Sequence, residues 1–243
     1  MADKKIGIIS QARMTSTRLP GKILKEANGK PLLQYHIDRL KWSGLPIYLA
    51  TTTNDTDDVL VAFAEKNGIP YSRGSEDNVL SRYYECAQKY GLDIIIRVTS
   101  DCPLIDGHLI KAGVDKYLEL NDDNYYLSNT LERTFPRGFD YDVFSFALLE
   151  EAWKNAILEY DKEHVTPYIL QNKSGHVKLL NLSDGENNSE LRITLDTPED
   201  YELFLELIEH YHAYEMDYKQ IIHVLLTHPK LVEINAHIEQ KKV

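Results

Sequence analysis

Short apolar runs alternate with amphipathic stretches along the first half of the chain. KIGIIS, at residues 5–10, reads as a buried strand; PLLQYHIDRLKWS follows with Leu33, Ile37 and Leu40 at helical spacing. PIYLATT reads as the next strand. DTDDVLVAFAEKNG opens on acids and closes at Gly68, which predicts a helix. IPYSRG is a short strand and turn, DNVLSRYYECAQKYG a helix ending at Gly91, DIIIRVTSD a strongly apolar strand and DGHLIKAGVDKYLEL a further helix. This alternation predicts an α/β fold, a mostly parallel doubly wound sheet with helices on both faces.

The second half is less regular. NYYLSN and GFDYDVFS read as strands with a turn at Pro136-Arg137-Gly138, FALLEEAWKNAI and KEHVTPYILQN as helices, and HVKLLNLS and LRITLD as strands. Three helical patterns close the chain, from Pro198 to about Gln240. With no repeat, low-complexity tract or long linker, residues 1–243 read as a single domain, and 124–185 as an insertion suited to holding a second substrate.

Charge changes the picture at one place. The net charge is −11, which argues against a nucleic-acid or membrane-surface binder. Residues 1–30 nevertheless carry seven Lys or Arg against two Asp or Glu. A local anion site fits this imbalance better than a broad basic face. No apolar run approaches the ~18 residues that cross a bilayer, and no apolar stretch follows the N-terminal MADKK, so the chain reads as cytoplasmic. Cys86 and Cys102 imply neither a disulfide framework nor a metal site.

In open parallel sheets, ligands bind beyond the carboxyl ends of the strands. Five polar clusters fall at such ends: QARMTSTRLPGK, TTTND, SRGSEDN, TSDCPLID and DTPED. The first holds Arg13, Arg18 and Lys22 and no acid. Arginine forks, a mobile lysine and backbone N–H groups suit a polyphosphate; the competing reading is a solvated cationic turn. The loop is not a Walker A motif, since Ile23 follows Gly21-Lys22, and no G-x-G-x-x-G follows the first strand. Asp101 and Asp196 each follow an apolar run, where a carboxylate serves either as a Mg²⁺ ligand or as a turn or helix cap. Thr197, ahead of Pro198, is the expected helix cap.

The segments IISQARMTSTRLPGKILKEANGKPLL, SRGSEDNVLSRYYECA, RVTSDCPLID, EHVTPYI and LRITLDTPEDYE resemble the cytidylyltransferases of surface-polysaccharide biosynthesis. The spore-coat polysaccharide type is the nearest, with CMP-sialate and CMP-Kdo synthetases more distant. The resemblance runs from Ile8 to about Glu202. It departs at Thr15, where relatives often have Gly, and at Ser81, where Asp is common.

The resemblance implies a GT-A-like, Rossmann-like fold, CTP as substrate, Mg²⁺ as cofactor, a homodimer, and transfer of CMP with release of pyrophosphate. By motif match, Arg13, Arg18 and Lys22 would hold the triphosphate, and Lys22, Arg13 and Asp101 would carry the chemistry. Asp101 and Asp196 would bind metal. Ala12, Ser16, Thr51, Arg73, Asp77, Asn78 and Ser100 complete the expected nucleotide site. Arg137, Asp140, Asp142 and His164 are the acceptor-side candidates. A sugar hydroxyl acceptor would need a base, for which Asp140, Asp142 or His164 is placed; His164 has packing as its alternative role. Two other readings stand beside this one. One is a nucleotidyltransferase using UTP, GTP or ATP; the first loop broadly resembles that of the sugar-1-phosphate pyrophosphorylases, but these usually carry a glycine-rich AGGxGTR-type loop, which is absent. A non-catalytic nucleotide-sugar binding protein would not need Arg13, Lys22, Asp101 and Asp196 together.

Overall fold

The structure is a computed structural model and describes residues 4–239. The end of the last expected helical pattern, at Gln240, lies outside the described residues, as do the first three positions.

The amphipathic alternation of the first half resolves into β1 (Ile6–Gln11), the two-residue strands β2 (Glu26–Ala27) and β3 (Lys30–Pro31), α1 (Leu32–Leu40), β4 (Ile47–Thr52), α2 (Asp58–Lys66), β5 (Tyr71–Gly74), α3 (Val79–Tyr90), β6 (Ile94–Thr99) and α4 (Gly107–Leu120). Then come β7 (Tyr125–Ser128), β8 (Asp142–Ser145), α5 (Phe146–Asn155), α6 (Glu159–His164), α7 (Pro167–Leu170), β9 (Lys178–Asn181), α8 (Pro198–Leu205), α9 (Tyr218–Thr227) and α10 (Pro229–Asn235).

Seven strands form one sheet in the order β5-β4-β1-β6-β8-β7-β9. β5, β4, β1 and β6 run parallel, and β8 pairs antiparallel with both β6 and β7. The order reverses about β1, because the chain crosses from β5 back to β6 on the far side. That switch opens a crevice beyond the ends of β1 and β6. The strands are apolar on both faces because both are covered. Ile9 and Ile95 pack under Tyr83 of α3 and Leu148 of α5, whereas Ile8 and Ile96 pack under Ile110 and Val114 of α4. The C-terminal helices bury Phe204, Ile208 and Ile221 against Leu32 and Tyr35 of α1. The fully buried Arg39 ties α1 to them through the Ala213, Tyr214 and Met216 carbonyls.

Two expected elements differ. KEHVTPYILQN is not one helix: Pro167 has no amide for a helical bond, and Val165 sits at φ 70, so α6 and α7 form separately. LRITLD does not join the sheet as a strand. It is extended, with a bridge between Arg137 and Arg192 and a bond from the Leu195 amide to the Asp101 carbonyl. The turn opposite needs Gly138, at φ 114, where a Cβ would lie 2.4 Å from the Ile193 carbonyl oxygen. Both cysteines are buried free thiols. Among the described residues no helix is long and apolar enough to cross a membrane.

Candidate active site

The loop after β1 is shaped by its own backbone. The Met14 amide donates to the Asp57 carboxylate at 2.8 Å, and the Met14 carbonyl accepts the Ser16 and Gly21 amides at 3.0 and 3.1 Å. Gly21, at φ 65, turns the chain into a single 3-10 turn, Lys22–Leu24. Lys22 is thereby carried into the crevice beyond β1 and β6.

There its ammonium meets two carboxylates from distant parts of the sequence. Lys22 Nζ donates to Asp101 Oδ2 at 2.9 Å and to Asp196 Oδ1 at 2.8 Å. Burial alone would lower the Lys22 pKa, but the two carboxylates outweigh it and hold the group above its ordinary value. Burial works to raise Asp101; Lys22 and the Thr99 hydroxyl overcome it and hold the carboxyl at about 2. Asp196 also faces Arg18 at 3.3 Å and Arg192 at 2.9 Å. Arg192 grips the buried Asp200, which accepts the Thr197 amide in the α8 capping box and the Asp196 amide beside it. The capping box thus fixes the turn that presents Asp196.

The resulting cleft has a volume of about 220 Å³, and Ala12, Arg13, Ser16, Arg18 and Ser100 line it with the lysine and both aspartates. Its donor set, two carboxylates that converge on one cationic atom, fits a hard divalent cation, which Asp101 and Asp196 would hold. Among the described residues no group of three or more His, Cys, Asp or Glu converges, so remaining coordination would fall to phosphate oxygens and water.

Two cavities flank the cleft. One, of about 380 Å³, shares Gln11, Arg13 and Arg82 with it and is otherwise lined by Glu76, Asp77, Val79, Glu159, Glu163 and His164. The other, of about 220 Å³, shares Thr99 and is bounded by two ion pairs. Arg133 holds Asp140 through two bonds of 2.6 and 2.8 Å, and Arg97 holds Asp142 at 3.0 Å.

A sequence profile of the cytidylyltransferases matches residues 6–231. The chain belongs to the cytidylyltransferase family. It is 38% identical to an uncharacterized protein of Methanocaldococcus jannaschii over 98% of this chain and 97% of that protein. It is 33% identical to the spore coat polysaccharide biosynthesis protein SpsF of Bacillus subtilis over 80% of this chain and 82% of that one. The solved structure of a cytidylyltransferase from Leptospira borgpetersenii superposes with a TM-score of 0.91 at 36% identity, covering 98% of this chain and all of that one. The protein is therefore a nucleotidyltransferase enzyme.

Of the expected site residues, Ala12, Arg13, Ser16, Arg18, Lys22, Ser100, Asp101 and Asp196 come together in the central cleft. Asp77 and His164 line the larger flanking cavity, and Asp140 and Asp142 the smaller one, so His164 stands apart from Asp140 and Asp142. Thr51 is not among the residues lining the central cleft. Its side chain is fully buried and its hydroxyl donates to Asp57, which anchors the loop. Arg73 is likewise committed to structure, holding the Thr52 and Asn54 carbonyls and Asp58. Asn78 caps α3 by accepting the Ser81 amide at 2.9 Å, and the Ser81 hydroxyl bonds back to the Asn78 carbonyl. Thr15 also has a partner: its hydroxyl donates to Glu76, which also meets Arg13 at 3.1 Å. That bond from Thr15 is the main cause holding the Glu76 carboxyl below the ordinary range.

Sequence reasoning missed Arg82, Arg133 and Arg192 and gave Gln11 no role. Arg82 carries a readable signal: it interrupts the apolar face of α3 formed by Val79, Tyr83 and Cys86. It also missed His36, buried in α1. His36 Nδ1 donates to the Cys102 carbonyl at 2.9 Å, so Nε2 accepts the Ser10 hydroxyl at 2.8 Å. Ser100 must then donate to Ser10, at 2.7 Å.

Proposed function

We propose that this cytidylyltransferase transfers CMP from CTP to an anionic acceptor, a sugar acid or a phosphorylated compound, and releases pyrophosphate. The observation that carries the reading is the junction of Lys22, Asp101 and Asp196 beside Arg13 and Arg18 at the switch of the sheet. An acceptor oxygen attacks the α-phosphorus, the new O–P bond forms in line with the departing oxygen, and pyrophosphate leaves with the electron pair. Arg13 and Arg18 grip the terminal phosphates and stabilise the leaving charge. Lys22 swings from the aspartates to the phosphate chain as the nucleotide enters. Asp101 and Asp196 would hold Mg²⁺, whose chemistry there is Lewis-acid polarisation of the phosphoryl group. Positioning and charge neutralisation carry such a reaction, and no protein nucleophile is required.

The stretch 124–185 supplies the acceptor side in this reading. Its smaller cavity offers paired Arg133 and Asp140, with Arg137 close by. Burial, and then the neighbouring Arg133, draw the Arg137 pKa down, and Arg192 adds to the effect, so a bound anion at this edge would relieve the repulsion. An anionic phosphate acceptor needs no base; a sugar hydroxyl would use Asp140 or Asp142. The likeness to the spore coat polysaccharide protein supports a place in surface-glycan synthesis. Incubation with CTP labelled at the α-phosphate and a panel of sugar acids and phosphate esters tests the reading. Label should pass to an anionic acceptor; transfer only to neutral sugars would refute the acceptor class.

A further inference from the structure

Two buried polar groups at the junction of the central cleft and the larger flanking cavity lack partners among the described residues. Arg82 is 1% exposed, and neither its Nε nor its Nη1 meets an acceptor. Gln11 Oε1 is buried and receives no donor. Gln11 ends β1, Arg82 lies in the first turns of α3, and both line the central cleft and the adjoining cavity. Buried guanidinium N–H groups without an acceptor are costly for a fold to carry, and an unfilled carbonyl beside them adds to the cost. Groups left open in this way at a cleft are completed by what binds there.

The chemistry of the missing partner follows from the pair. A phosphate offers acceptors only; it would satisfy Arg82 and leave Gln11 Oε1 facing an anion. The adjoining cavity carries Glu76, Asp77, Glu159 and Glu163, which repel phosphate. A neutral ring with a donor beside acceptors satisfies both groups, and Val79 gives it an apolar contact. Cytosine has that edge: an amine at position 4, then acceptors at N3 and O2. Uracil places a carbonyl where the amine stands. We propose that Gln11 and Arg82 read the base of the donor nucleotide, Gln11 Oε1 accepting the cytosine amine and Arg82 donating to the ring acceptors. This inference rests on the CTP reading and assigns base selection to two residues of the β1–α3 junction.

The test is direct binding of CTP, UTP and pyrophosphate, with Mg²⁺ present, to the wild type, Arg82→Met and Gln11→Leu. Methionine keeps the stem that packs beside Gly74. The wild type should prefer CTP to UTP by at least about tenfold, and Gln11→Leu should erase most of that preference. Arg82→Met should weaken CTP by at least about tenfold and leave pyrophosphate within about twofold. Its thermal midpoint should hold or rise, since an unpaired buried charge has gone. Equal loss of CTP and pyrophosphate in Arg82→Met would make Arg82 a phosphate ligand and overturn the proposal. So would an unchanged base preference in Gln11→Leu, which carries the test alone if Arg82→Met does not fold. A wild type that binds CTP no better than UTP would instead remove the CTP reading on which the inference stands.

Discussion

Replacing Lys22 by methionine keeps the stem and deletes the ammonium that joins Asp101 to Asp196. The ammonium lies 2.9 and 2.8 Å from the two carboxylates on a side chain 12% exposed. Removing one partner of a fully buried pair costs about 3–5 kcal/mol. Here Asp101 is 29% exposed, and Arg18 and Arg192 still hold Asp196, so a loss of about 2 kcal/mol is expected. For a chain of this size that lowers the unfolding midpoint by about 4–8 °C. Loss of a group preorganised against the developing phosphate charge should also reduce kcat about 100-fold, or about 3 kcal/mol. Thermal unfolding without nucleotide and steady-state turnover with saturating CTP measure the two effects separately. A lowered midpoint with full kcat would make Lys22 a structural strut, and no change in either would return the loop to a solvated turn.

Asp101→Ala should keep the far-ultraviolet circular dichroism of the wild type and lose turnover by at least about 100-fold; near wild-type turnover would remove the metal assignment. His36 is buried neutral, its pKa pushed by burial from the ordinary 6.5 down to about 4 despite the opposing Cys102 carbonyl. As pH falls the unfolded chain takes up this proton first, so stability should decline between about pH 6.5 and pH 4 by about 3 kcal/mol. Urea denaturation at several pH values should show a shallower decline for His36→Gln than for the wild type; parallel curves would refute the burial argument. Gly138→Ala should cost at least about 2 kcal/mol, because it puts a side chain at φ 114 and 2.4 Å from a carbonyl oxygen; chemical denaturation measures it.

The fold was legible where one physical signal dominated. The apolar runs of β1, β4 and β6 and the amphipathic faces of α1 to α4 were read directly, and their order fixed the parallel half of the sheet. Residues 191–196 misled because an apolar, β-rich run needs partners to be a strand. Here its backbone bonds go to Arg137, Asp101, Asn188 and the Asp200 and Asn235 side chains rather than to a ladder. The cationic loop and the two aspartates were legible because strand ends converge at a switch point. Their ion pairing was not, since Lys22 and Asp196 are 174 positions apart. Thr51 and Arg73 show the limit of that signal: polar residues at a strand end also anchor loops, and here their side chains bond Asp57 and the Thr52 carbonyl. Arg82 was legible as a break in the apolar face of α3, whereas His36, within the buried face of α1, showed its burial only once the sheet covered it.

Pyrophosphate release with CTP, UTP, GTP and ATP, each with Mg²⁺ and the anionic acceptor panel, tests the central claim most directly. Release should occur with CTP and depend on the acceptor. Comparable release from another nucleotide, or none from CTP with any anionic acceptor, would contradict it.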